Sequence, residues 1–123
     1  MKHHAINYVE LGAVDIEKTK TFYAKAFGWT FVDYGPDYVA FKDSGLEGGF
    51  TKESKTGTSP LVILYSERLE ESRDTIASLG GKIVKDIFDF PGGRRFHFAD
   101  PNGNELAVWS DKKGSDASSQ IVR

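Results

Sequence analysis

Asp15-Ile-Glu-Lys-Thr-Lys-Thr-Phe-Tyr-Ala-Lys-Ala-Phe-Gly-Trp29, near the start of the chain, and Asp100-Pro-Asn-Gly-Asn-Glu-Leu-Ala-Val-Trp109, near its end, together decide the fold. The first stretch opens a module. Asp15 offers an N-cap oxygen to the orphan amides of a first helical turn, and Lys18 begins a run in which Phe22, Tyr23, Ala26 and Phe27 share one helical face. Gly28 ends the helix, being tolerant of positive φ. The second stretch closes a module, because Asp100-Pro-Asn-Gly103 is a tight turn feeding a strand from Glu105 to Trp109. Between the two the same organisation returns in weaker form. The chain therefore reads as an α+β fold of two tandem βαβββ modules, about residues 5–54 and 60–111, that share a cleft.

Working outward, Ile6 to Leu11 suits a pleated surface and predicts the opening strand. Trp29 to Val32, Tyr38 to Lys42 and Glu47 to Thr51 are three further strands, separated by turns at Tyr34-Gly-Pro-Asp37 and Asp43-Ser-Gly45. After the polar link Lys55-Thr-Gly-Thr-Ser-Pro60 the pattern restarts with the nearly continuous apolar strand Leu61 to Tyr65. Leu69, Ser72, Ile76 and Leu79 mark a helical stripe that ends at Gly80-Gly81, and strands follow at Lys82 to Val84 and Arg94 to Ala99. Residues 112–123 are polar and small and predict a flexible tail; His3 and His4 are expected at a fraying, inert terminus.

Composition sets the limits. A chain of 123 residues fits one domain. The net charge is -2, and Lys and Arg are interspersed with Asp and Glu, which leaves no footprint for nucleic acid or an anionic membrane. Cysteine is absent, so disulfides, thiolate metal sites and a Cys nucleophile are excluded. No run has the roughly 18 apolar residues of a membrane span, and no signal-peptide pattern is present. A cytoplasmic protein is expected. A Gly-x-Ser-x-Gly elbow, a phosphate-cradling Gly-Lys-Ser/Thr loop and a dinucleotide fingerprint are all missing. Gly92-Gly93 precedes two arginines and reads either as an anion holder or as a flexible hairpin tip.

The Phe22-Tyr23 pair with Phe27-Gly28-Trp29, Leu79-Gly-Gly-Lys82, and Asp100-Pro-Asn-Gly-Asn104, in this order and at these intervals, resemble the vicinal oxygen chelate superfamily of glyoxalase I, bleomycin-resistance proteins and extradiol dioxygenases. The resemblance spans Ile6 to Asp111. It implies that the curled sheets of the two modules combine into a shared cleft for a small molecule and, in the metal-dependent members, one ligand from the first and one from the last strand of each module, typically His and Glu. Such an ion acts as a Lewis acid on substrate oxygens. Carried over one by one, those positions fall at Tyr8, at Gly49 or Phe50, at Leu61 and at Ala107. Leu, Ala, Gly and Phe cannot ligate, and neutral Tyr seldom does. The usual metal site, and with it any cofactor, is expected to be missing, although Glu10, His97 and Glu105 are of types that coordinate divalent ions.

With Tyr8 facing the cleft, period two turns Glu10 the same way and sends Val9 and Leu11 under the helices. Leu61, Ile63 and Tyr65 face the cleft likewise, as do Glu105, Ala107 and Trp109, with Leu106 and Val108 in the core. Such a pocket suits an apolar or planar ligand bearing a donor or cationic group. Tyr65 and Trp109 read equally well as core filling, and Glu105 as a solvated side chain. His97 alternates with Phe96 and Phe98 and shares a face with Arg95; it is the candidate catalytic residue, or a half-exposed strand histidine without chemistry. Two functions stay open. One is a metal-independent small-molecule-binding protein; the other is a divergent glyoxalase-type lyase or isomerase, or a dioxygenase, with a shifted metal site or a mechanism based on His97. A homodimer is expected from the resemblance alone.

Overall fold

The computed structural model describes residues 1–53 and 60–113. Its elements run β1 (Ile6–Gly12), α1 (Ile16–Phe27), β2 (Thr30–Asp33), β3 (Tyr38–Lys42) and β4 (Gly48–Thr51), then β5 (Leu61–Tyr65), α2 (Leu69–Ser78), β6 (Lys82–Phe90), β7 (Gly93–Ala99) and β8 (Glu105–Ser110). Strand, helix and three strands thus occur twice, and the fold is α+β as the sequence predicts. The described chain forms two compact units, one of Asn7–Leu61 and one joining Met1–Ile6 to the chain from Val62 onward. Most of the polar link (residues 54–59) and most of the expected tail (114–123) lie outside the described residues.

In the first unit β3 pairs antiparallel with β2 and β4, and β1 lies parallel to β4 with Val9 opposite Gly48 and Leu11 opposite Phe50. Alternation sends Val9, Leu11, Phe31, Val39, Phe41 and Phe50 to one face, where they pack with Ile16, Tyr23 and Trp29. Asp15 caps α1 by accepting the Lys18 N–H at 2.9 Å, and Gly28 closes it at φ 76°. The helix begins at Ile16, two residues before the expected Lys18, and its buried face differs from the expected one. Ile16, Thr19, Lys20 and Tyr23, spaced at i, i+3, i+4 and i+7, turn inward, whereas Phe22 and Phe27 stay 60% and 63% exposed and Ala26 is exposed too. Phe22 lies about 120° round the helix from the Ile16 line, whereas Phe27 lies within about 20° of it and is the last residue of the helix, beside the Gly28 cap.

In the second unit β8 is parallel to β5 and antiparallel to β7, which pairs with β6. Phe96, Val108 and Leu69 form its core, joined by Ile76, Ile83, Ile87 and Phe98. The stripe on α2 ends at Ile76. Leu79, expected on it, is 76% exposed, because the Gly81 N–H reaches back to the Ile76 carbonyl at 2.9 Å and turns the chain away. Strand β6 runs to Phe90, well beyond the expected Val84, and Gly93 lies in β7 opposite Phe90, so that the expected Gly92-Gly93 tip is a Pro91-Gly92 turn.

The expected fraying of His3 and His4 is also corrected. The His4 N–H donates to the Tyr65 carbonyl at 2.6 Å, and the Tyr65 N–H donates to the Ala5 carbonyl at 3.0 Å. His3 Nδ1 accepts the Glu67 N–H at 2.8 Å, and His4 Nε2 lies 3.1 Å from Ser72 Oγ, which in turn meets Ser66 Oγ at 2.8 Å. The paired backbone fixes both histidines beside the start of α2.

Candidate functional site

Each module presents one sheet face away from its helix, and the candidate side chains lie on these faces. On the first, β1 offers Tyr8 and Glu10, whose neighbours Val9 and Leu11 point into the core. Tyr38, from β3, joins them. Its hydroxyl donates to Glu10 Oε2 at 3.1 Å, and the Tyr8 hydroxyl lies 2.6 Å from it. Tyr38 has a single proton, which goes to Glu10, so Tyr8 donates to Tyr38 and the three groups form a directed chain. Tyr38 reaches this place across Gly49, where an added Cβ would lie 2.3 Å from its hydroxyl oxygen.

Burial holds the Tyr38 phenol well above the ordinary tyrosine range, and the negative charge of Glu10 adds to the effect. Burial likewise raises the Tyr8 phenol.

On the second module the register aligns Ile63 with Ala107 and His97, and Tyr65 with Trp109 and Arg95. Ile63, Tyr65 and Ala107 are buried, and Leu61 is half-buried. Tyr65 meets Trp109 edge-on at 5.2 Å and donates to Asp111 Oδ1 at 2.5 Å. Burial, aided by the Asp111 carboxylate, pushes Tyr65 up to about 12 and that hydrogen bond lowers Asp111. His97 Nδ1 lies 2.9 Å from Glu105 Oε2, which joins two residues the sequence had singled out separately. The face continues onto β6, where Phe88 lies 5.8 Å from the His97 ring and Phe90 lies 6.2 Å from Trp109.

Sequence reading missed Tyr38, Lys85, Phe88 and Phe90 as members of these faces. For Tyr38 a signal existed. Two successive glycines within a strand, Gly48 and Gly49, mark a close approach by another group. Phe88 and Phe90 alternate about Asp89, but the register shifts before Phe88 break the continuity of this pattern with Val84.

Three tyrosines with raised phenols give a pH prediction. Each stays neutral in the fold at a pH where the unfolded chain ionises near 10, so their contribution to stability is intact below pH 10 and is lost as pH rises through the folded values. Unfolding free energy is therefore expected to fall above pH 10, with most of the tyrosinate absorbance appearing late and together with loss of structure. Early ionisation of all five tyrosines in a still-folded protein would contradict this.

The residues at the superfamily's metal positions do not fit a divalent ion. Leu61, Ala107 and Phe50 have no ligating side-chain atom, Tyr38 fills the space above Gly49, and the Tyr8 phenol is held neutral by burial. Among the described residues no group of three or more His, Asp or Glu could hold a metal ion.

A sequence profile described as the Glyoxalase/Bleomycin resistance protein/Dioxygenase superfamily matches residues 5–108. The chain belongs to this superfamily. Solved superfamily-like structures share its fold. The Mn(II)-bound glyoxalase from Novosphingobium aromaticivorans matches at a TM-score of 0.66 and 24% identity over 99% of this chain, which spans 43% of that one. Methylmalonyl-CoA epimerase from Mycobacterium tuberculosis matches at 0.68 and 11% identity, covering 92% of this chain and 91% of that one. A superfamily member from Vibrio splendidus 12B01 matches at 0.64 and 15% identity, covering 87% and 98%. No protein of curated function matches in sequence. No helix among the described residues of this superfamily member is long and apolar enough to cross a membrane.

Proposed function

We propose that this superfamily member is a small-molecule-binding protein that works without the superfamily's metal. The observation that carries the reading is the Tyr38 ring lying over Gly49, where its hydroxyl links Tyr8 to Glu10. Instead of an open ligand position, the first module has a closed hydrogen-bonded chain of three side chains. In the second module the matching positions, Leu61 and Ala107, present hydrocarbon. We assign ligand binding to Tyr8 and Glu10, with Tyr38 added, on the first module, and separately to Leu61, Ile63, Tyr65, His97, Glu105, Ala107 and Trp109 on the second. Aromatic and aliphatic surface provides the affinity for such a ligand, and a few fixed polar groups orient it. The same reading has the protein acting in the cytoplasm, and as a homodimer, the latter suggested by its superfamily resemblance.

Elemental analysis of the purified, untagged protein tests this directly. Far less than one divalent metal per chain is expected, with a melting temperature unmoved by zinc, nickel, manganese or iron(II). A metal bound only by the native state at 100 times its dissociation constant would add about 2.7 kcal/mol, a shift that melting curves resolve. Stoichiometric metal together with such a shift would overturn the reading. Sedimentation at micromolar concentration checks the dimer in the same preparation.

A further inference from the structure

The two carboxylates that the sequence held ready for a ligand are engaged within the protein. Glu10 accepts from Tyr38, and Glu105 pairs with His97. A strand irregularity puts a cation, Lys85, on the β6–β7 face. Ile83 lies opposite Phe98, Lys85 opposite His97 and Phe88 opposite Arg95, with register shifts between Ile83 and Lys85 and again between Lys85 and Phe88.

Regular alternation from Ile83, a core residue, would send Lys85 into the core as well. The first shift turns Lys85 to the other face. The second restores the phase, so Ile87 still packs in the core and Phe88 faces away from it. Asp86 is left towards α2, where Arg73 Nη1 holds it at 3.0 Å. The bulges thus remove a carboxylate from the face and place an ammonium on it. Lys85 Nζ stands 4.2 Å from the centre of the Phe88 ring, and the Arg95 guanidinium carbon lies 5.5 Å and 5.7 Å from the Phe88 and Phe90 ring centres. Lys85 is exposed, and among the described residues no carboxylate pairs with it.

Cations interleaved with ring faces are complementary to a flat ligand that carries a negative charge at its edge. Its ring stacks on the aromatics, and its oxygens meet N–H donors that the rings hold in place. Resting on the binding reading above, we infer that the β6–β7 face recognises a planar aromatic anion. The ring lies against Phe88, Phe90 and Trp109, and the anionic oxygens lie on Lys85.

Calorimetric titration with 2-naphthoate, with the uncharged 2-naphthamide and with the cation 2-naphthylmethylammonium tests the inference. Naphthoate is expected to bind about tenfold tighter than the amide, the gain usual for one charge-assisted hydrogen bond, and the ammonium compound least. Lys85→Met is expected to bring naphthoate down to the affinity of the amide and leave the amide unchanged. Lys85→Gln serves as a second variant, and an unchanged melting temperature shows that each remains folded. Equal affinity for naphthoate and amide, a preference for the cation, an unaffected Lys85→Met protein or no binding at all would overturn the inference. Equal affinities in metal-free protein would leave the binding reading standing and remove only the anion. A naphthoate preference that appears only after a divalent metal is added would overturn both.

Discussion

Phe96→Ala is expected to remove about 3–5 kcal/mol of folding stability, the range for truncating a fully buried aromatic ring. Phe96 has no exposed surface and forms the second module's core with Leu69 of α2 and Val108 of β8. Its ring centre lies 6.3 Å from that of Phe98, so the cavity left by alanine is bounded by sheet side chains that cannot collapse freely. Against a total of about 5–15 kcal/mol for a small domain, such a loss leaves the variant marginal at physiological temperature. Urea denaturation of Phe96→Ala beside Phe22→Ala gives the contrast. Phe22 is 60% exposed on α1, and its truncation is expected to change stability by no more than about 0.5 kcal/mol. Equal losses would mean that the two aromatics are not buried and exposed as described.

The second large effect concerns two adjacent glycines with different neighbours. A Cβ at Gly48 would lie 2.2 Å from the Val9 carbonyl oxygen and 2.4 Å from Phe41 Cζ. Val9 is the β1 residue paired with Gly48, so its carbonyl can retreat only by opening the β1–β4 pairing. Gly48→Ala is expected to cost about 3 kcal/mol, the upper end for an overpacked interior. At Gly49 the obstacle is the Tyr38 hydroxyl, 2.3 Å from the added Cβ. That ring can swing aside at the expense of its hydrogen bonds to Tyr8 and Glu10, so Gly49→Ala is expected to cost about 1–2 kcal/mol, two modest hydrogen bonds. Tyr38→Ala in the same chain should then recover part of the Gly49→Ala loss, with a coupling of about 1 kcal/mol in the double-mutant cycle, and should leave the Gly48→Ala loss untouched. Purely additive effects at Gly49 and Tyr38 would refute the assignment of Tyr38 to that space.

The fold was readable from the sequence where local chemistry and tertiary packing agree. Strands β3 and β5 have the expected bounds, Tyr38–Lys42 and Leu61–Tyr65, because short apolar runs between turn residues leave little freedom. Asp15 and Gly28 marked α1 for the same reason, since caps are local. The buried side of α1 was not readable in the same way. Ile16, Thr19, Lys20 and Tyr23 form a mixed stripe, less apolar than the exposed aromatics, and only the sheet beneath them selects it. Strand β6 beyond Val84 escaped because its bulges break the period of two on which strand reading depends. Alternation did place Tyr8 and Glu10 opposite the core, yet Tyr38 comes to them through the pairing of β3 with β4, a relation that no single segment contains. His97 and Glu105 were both singled out, while their contact follows from the β7–β8 register.

The attachment of Met1–Ile6 to the later half of the chain bears on how the polypeptide is assembled. Residues of this short segment find partners 64 and 68 positions further on, as His3 does with Glu67 and His4 with Ser72. A unit closed by such distant contacts cannot be completed while the intervening residues are still being made, and the long loop that must close delays it further. Nor does the link between the halves mark a clean place to divide the gene. A fragment beginning at residue 60 would carry Tyr65 with its N–H and carbonyl stripped of Ala5 and His4, a bare strand edge prepared to pair with another copy of itself.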